Sequence, residues 1–158
     1  MPARSTASYR FGDLLALARQ SWLGEMARRL AALGYDDYRR TDAAVMRLLL
    51  RGPLPVGQLG IPLGVTRQAA RKVADGLEQR GFAATGRAPR DARQLTVTLT
   101  PSGRDYARAI VTVIDELNHE VARRTDPAQL AAADAVLRAL LFDDGARRRA
   151  ERVPPPAE

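Results

Sequence analysis

The sequence predicts a mainly α-helical fold with one small β-hairpin wing: a winged helix-turn-helix lobe carried between long N- and C-terminal helices. Three observations predict it. Thr66 stands as a helix-start residue before an amphipathic basic helix ending at Gly81. An Arg-rich stretch between two short strand-like runs follows that helix. Long apolar-periodic segments flank both, one from Phe11 and one from Pro101.

The elements follow in order. Leu15, Ala18, Trp22, Met26, Leu30 and Leu33 recur every three to four residues, which predicts a helix over Phe11–Leu33 closed by Gly34. A second helix opens at Thr41 or Asp42 and carries Met46, Leu49 and Leu50 before Gly52 and Pro53 stop it. Val56–Gly64 predicts a short or distorted third helix. Gly57 and Gly60 weaken it, and Pro62 removes an amide donor to the carbonyl of Gln58. On the helix after Thr66, the residues Ala70, Val73, Ala74 and Leu77 form the buried face. Phe82–Thr85 and Leu95–Leu99 read as strands joined by the loop Gly86–Gln94. Thr100-Pro101 is a cap followed by an N1 proline, and Asp126-Pro127-Ala128-Gln129 repeats that device with a capping box. The chain is expected to form one domain over residues 1–158. Residues 9–40 and 100–142 would be dimerisation helices, 41–99 the winged lobe, and 143–158 a frayed tail.

Composition narrows the function. The 158 residues include no cysteine, which removes disulfides, thiolate metal sites and thiol redox sensing. A single histidine leaves no metal site and few nucleophile–base pairs, so catalysis, metals and cofactors find no support. No apolar run is long enough for a membrane span and the N-terminus lacks a signal peptide's apolar core, so a cytoplasmic protein is expected. The net charge is +7, and only Lys72 among 25 basic residues is a lysine. Its distribution is uneven. Seven basic residues face three acidic ones between Thr66 and Arg93. A localised basic stripe on a helix and a hairpin points to a polyanion, here double-stranded DNA.

The helix after Thr66 turns Arg67, Gln68, Arg71 and Lys72 away from its apolar stripe. Arg and Gln make bidentate contacts to guanine and adenine edges, and Lys72, with Arg67 or Arg80, suits phosphates. Thr66 leaves helix-start amides pointing at a phosphate. In the wing, Arg87, Arg90 and Arg93 suit a narrow minor groove, with Asp91 placed to hold Arg93. The long terminal helices carry apolar stripes that a second copy of the chain would bury.

These motifs together resemble the MarR family of transcriptional regulators. The resemblance spans roughly Phe11–Asp143 and is most specific in Leu63–Gln68, Val73–Phe82, Asp91-Ala92-Arg93 and Leu99–Arg104. It implies a homodimer with interlocked terminal helices. It makes the helix after Thr66 the recognition helix, and it makes Asp91 and Arg93 a D-x-R wing motif. It further implies a regulator, expected to be a repressor, on a pseudo-palindromic operator with half-sites ~34–36 Å apart. A small aromatic or anionic effector is implied as well, with Trp22, Met26, Tyr38 and Tyr106 as candidate contacts and core packing as their alternative reading. Two other functions fit the residues: a non-specific architectural DNA binder, and a winged-helix module that has lost DNA binding and works through protein contacts.

Overall fold

Backbone capping sets most element boundaries in the structure, a computed structural model that describes residues 11–88 and 91–151. The chain divides into two compact units, Met1–Arg40 and Thr41–Glu158. Among its described residues the first holds one helix, α1 (Phe11–Ala32). It ends in a turn where the amides of Gly34 and Tyr35 reach back to the carbonyls of Ala31 and Leu30, both at 2.9 Å. Near its C-terminus Glu25 accepts from Arg28 at 2.6 Å and Arg29 at 2.8 Å. Those two guanidiniums lower the Glu25 carboxyl to about 2.

The second unit runs α2 (Asp42–Leu49), β1 (Leu54–Pro55), α3 (Val56–Leu63), α4 (Arg67–Gln79), β2 (Ala83–Ala88), β3 (Asp91–Leu99), α5 (Pro101–Arg124), α6 (Pro127–Ala139) and α7 (Asp144–Glu151). Its sheet is antiparallel in the order β1-β3-β2, with Val97 opposite both Leu54 and Thr85. The core takes Val45, Met46 and Leu49 from α2, Leu59 from α3 and Ala70, Ala74 and Leu77 from α4. The sheet adds Val97 and Leu99, and α5 adds Tyr106, Ile110 and Val113. Most of these residues belong to the apolar stripes read from the sequence, Val45 and Leu59 being additions. Of the expected stripe residues Val73 is only half-buried, and Leu50, Val121, Leu130 and Leu137 are exposed.

Three expectations are corrected. The strands are longer than Phe82–Thr85 and Leu95–Leu99, and most of the loop Gly86–Gln94 belongs to the ladder. Leu95, Val97 and Leu99 anchor β3, and backbone pairing then extends outward whatever the side chains are. β1 went unread because two residues carry no periodicity. The tail expected to fray from Asp143 is instead helical over Asp144–Glu151. Asp143 starts it, its carboxylate accepting from the Ala146 amide at 2.7 Å and its carbonyl from Arg147 at 3.2 Å.

The short third helix is eight residues long, as its composition predicts, and it is α-helical despite Pro62. Gly60 has a positive role within it. A Cβ there would lie 2.8 Å from the Val65 carbonyl oxygen, so glycine lets the turn before α4 close onto α3. The amide of Val65 donates to the Gly60 carbonyl at 3.0 Å.

Candidate nucleic-acid interface

Thr66 caps α4 as the sequence predicts, its hydroxyl accepting from the Ala69 amide at 3.2 Å. With Ala70, Ala74 and Leu77 buried, helical geometry turns Arg67, Gln68, Arg71 and Lys72 outward, and all four are exposed. Arg71 is not idle. Its Nε donates to Asp75 at 2.8 Å, one turn on, and both side chains stay about half exposed. Such a pair contributes little to stability and holds the guanidinium at a defined place on the helix surface. No ion pair joins Arg67 or Lys72 to a carboxylate among the described residues, so their charge faces outward undiminished.

Arg80 sits differently from the rest. Sequence reasoning allowed it a phosphate contact, but its guanidinium points inward. It grips Asp42 with both terminal nitrogens, at 2.8 and 2.9 Å. Asp42 is buried, and the Tyr106 hydroxyl donates to the same carboxylate at 2.8 Å. The Arg80 guanidinium also lies 5.3 Å from the centre of the Phe82 ring, which stacks on Tyr106 at 4.3 Å. Burial and the adjacent carboxylate raise the Tyr106 phenol well above its ordinary range, because both disfavour a second negative charge. This cluster joins the start of α2, the end of α4 and the first turns of α5. It fixes α4 at its C-terminal end.

Two further contacts tie the wing to the same helix. Glu78 of α4 accepts from the Thr85 amide at 3.0 Å and from its hydroxyl at 2.9 Å. At the wing's far strand, Thr100 caps α5 through the Gly103 amide at 3.0 Å. Its hydroxyl and that of Ser102 also reach the Gly81 carbonyl, at 2.6 and 2.9 Å. Gly103 is obligatory there, since a Cβ would overlap the Phe82 carbonyl oxygen. The Thr-Pro-Ser-Gly run is thus a clasp between the α5 start and the turn joining α4 to β2.

The wing residues divide. Arg87 is exposed on β2, opposite Leu95 on β3. Asp91 and Arg93 lie on the β3 backbone, and Arg90 lies outside the described residues. Of the candidate effector contacts, Trp22 is half-buried and Met26 buried on α1, and Tyr38 is half-buried after it. Tyr106 is committed to Asp42 and Phe82. Sequence reasoning missed Asp42, Glu78 and Ser102 as positioning residues. The first two are acidic residues on amphipathic helices, where solvated carboxylates are the norm, and only the fold reveals their partners.

A capped outward-facing basic helix, preceded by a short helix and tight turn and clamped to a hairpin, defines a winged helix-turn-helix lobe. Its particular form is the MarR winged-helix fold, shared with solved structures over most of the chain. A MarR variant from E. coli, solved with operator DNA, matches with a TM-score of 0.70 at 19% identity, over 84% of this chain and 94% of that one. FabT from Streptococcus pneumoniae, solved in complex with DNA, matches with 0.73 at 18% identity, over 83% and 92%. BpsR from Bordetella bronchiseptica, whose DNA binding is regulated by 6-hydroxynicotinic acid, matches with 0.69 at 22% identity, over 87% and 96%. No protein-family model and no curated protein sequence matches the chain.

Proposed function

We propose that this chain is a MarR-family transcriptional regulator that binds double-stranded DNA in the cytoplasm as a homodimer and represses genes near its operator. The observation that carries the reading is the outward face of α4. Arg67, Gln68, Arg71 and Lys72 stand exposed on a helix whose other face is core and whose two ends are fixed, by Thr66 and by Arg80 on Asp42. Base reading needs long donors on a rigid, pre-aimed support, since rigidity lowers the ordering cost of binding. The matching structures that contain DNA support the same partner.

In this reading α4 enters the major groove, with Arg71 and Gln68 meeting base edges and Lys72 and Arg67 meeting phosphates. Arg71 exchanges Asp75 for a base. Arg87, Arg90 and Arg93 follow the neighbouring minor groove, with Asp91 steadying the wing. A small aromatic or anionic effector that releases the DNA belongs to the proposal, supported by the regulation of BpsR. Trp22 is the chain's only tryptophan, so its fluorescence reports such a ligand directly.

The test is selection of bound fragments from genomic DNA, followed by competition against random duplex at fixed salt. A recovered pseudo-palindrome that outcompetes random sequence at least ~10³-fold supports the regulator. Equal affinity for both would leave an architectural binder, and no binding at low salt would leave a protein-interaction module. On the selected site, Arg71→Ala should cost about 1–3 kcal/mol and relax preference at one base position, leaving random-duplex affinity nearly unchanged. Equal losses on both duplexes would remove Arg71 from base reading.

A further inference from the structure

We infer that α7 is an additional DNA-backbone contact, a C-terminal extension that brings Arg148 and Arg149 to the phosphates beside the groove that α4 enters. The inference rests on the DNA-binding reading above and adds a surface to it.

The first observation is where α7 lies. Gly64 caps α3 in the left-handed region at φ +65, two residues before the Thr66 cap of α4. The Arg149 guanidinium lies against it. A Cβ built on Gly64 would be 3.0 Å from Arg149 Cζ and 3.1 Å from its Nη1. The end of the chain's last described helix therefore touches the turn of the helix-turn-helix. That turn leads into the N-terminal end of the reading helix, beside exposed Arg67.

The second observation is charge without compensation. Several arginines are matched to carboxylates: Arg71 with Asp75, Arg80 with Asp42, Arg108 with Asp105, Arg124 with Glu120, Arg138 with Asp134 and, on α7 itself, Arg147 with Asp144 at 3.7 Å. No ion pair or hydrogen bond joins Arg148 or Arg149 to a carboxylate among the described residues. Arg147, their neighbour, is engaged, its Nε donating to the Leu141 carbonyl at 2.9 Å. Gly145, Ala146, Arg149 and Ala150 form a half-buried face, and Arg148 is exposed. Asp143 lies near Arg149 on the other side, since a Cβ built on Gly145 would be 2.9 Å from Asp143 Oδ1 and 3.1 Å from Arg149 Nη1. The Arg149 guanidinium nevertheless brings positive charge against the turn that leads to exposed Arg67. Positive charge held beside the outward face of α4 attracts a polyanion.

The occupant these features fit is the backbone of the same duplex. The Arg149 end of α7 adjoins the turn that leads into α4. Arginine's planar fork suits phosphate oxygens, and nothing apolar among α7's exposed residues offers an anchor for a protein partner. The Asp143 cap holds the helix in place before DNA arrives, so little ordering cost is left to binding.

The test measures affinity of the full-length protein for a fluorescent random-sequence duplex across a salt series. Each phosphate contact contributes about 0.9 to the slope of log K against log salt. The double variant Arg148→Ala/Arg149→Ala should lower the slope by close to two units and weaken binding at low salt. Arg148→Lys/Arg149→Lys should restore most of the slope. Arg148→Ala alone, at an exposed position, should lower it by about one without changing the melting temperature. Wild-type slope in the alanine variants, with Arg67→Ala/Lys72→Ala still lowering it, would overturn the α7 contact and leave the α4 interface standing. Tighter binding by the double variant would also overturn it, marking α7 as a cover. Absence of duplex binding by the wild type would overturn both readings.

Discussion

Gly103 occupies a position that no other residue fits. Its Cα faces the Phe82 carbonyl, whose oxygen also accepts from the Thr100 amide at 3.1 Å. Gly103→Ala must push α5 away from the turn after α4, breaking a clasp of three hydrogen bonds. Overpacking against backbone, which cannot rotate aside, should cost about 3 kcal/mol or more, read as a lower urea midpoint at unchanged slope. Asp42 makes the complementary case. It is a buried carboxylate satisfied by Arg80 and Tyr106, and Arg80→Ala would leave it with an uncompensated charge. A loss of about 3–5 kcal/mol is expected for Arg80→Ala. Tyr106 gives this cluster a pH signature. Its phenol is raised in the folded state, so its contribution is fully present below the ordinary tyrosine value of about 10 and is lost as pH climbs above it. Alkaline unfolding monitored by tyrosinate absorbance should be steeper for the wild type than for Tyr106→Phe. Identical alkaline limbs would show that the phenol is not held in this way.

At the scale of elements, α4 and the wing behave as one body because Glu78 bridges them. Glu78→Ala removes the acceptor of the Thr85 amide without touching the core. Hydrogen exchange at Thr85 should accelerate while exchange at Ala74 and Leu77 stays slow, and equal protection in both proteins would argue that the ladder alone holds the wing. Within α1, Glu25 is held near 2 by Arg28 and Arg29. Its stabilising pairs are therefore complete above the ordinary carboxylate range and fade only as pH falls towards 2. A carboxyl NMR titration with a midpoint near 4.5 would contradict the arrangement. The sequence disclosed these elements unevenly. Helices with a 3.6-residue apolar stripe and side-chain caps at Thr66, Thr100 and Asp126 were legible to within a residue or two, because capping and amphipathicity are local. The outer wing strands, β1 and α7 were not: the outer strands form by backbone pairing with no apolar alternation, β1 is two residues paired to distant Val97 and Thr96, and α7 carries no apolar stripe. The same distinction divides the site. The outward face of α4 follows from the pattern of one helix, but the inward turn of Arg80 depends on Asp42, 38 positions away.

The whole molecule poses a question of solubility that its second unit already raises. Along α6, Leu130 is 37%, Val136 46% and Leu137 48% exposed, and Phe142 beyond it is 82% exposed. In the separate N-terminal unit, Leu14 and Leu17 on α1 are 62% and 60% exposed. α6 buries no residue at all, yet its capping box and proline start specify it fully as a helix. An exposed apolar stripe on a helix defined this well is the surface on which the proposed dimer would form. A second copy is the economical partner, because a two-fold interface uses the same patch twice. Light scattering should then give twice the 17.2 kDa chain mass at micromolar concentration. Leu130→Glu/Leu137→Glu should shift the protein to the single-chain mass with its helix content retained, since both positions are solvent-facing in the lone chain. The DNA consequence follows from symmetry. In the proposed dimer two lobes would bridge half-sites about one helical turn apart, ~34–36 Å, whereas a single lobe would meet only one. On the proposed function, the charged variant should therefore lose most of its preference for the selected operator and keep a weak, salt-dependent affinity for random duplex. Wild-type protein at 17.2 kDa over the whole concentration range would refute the dimer and, with it, the palindromic operator.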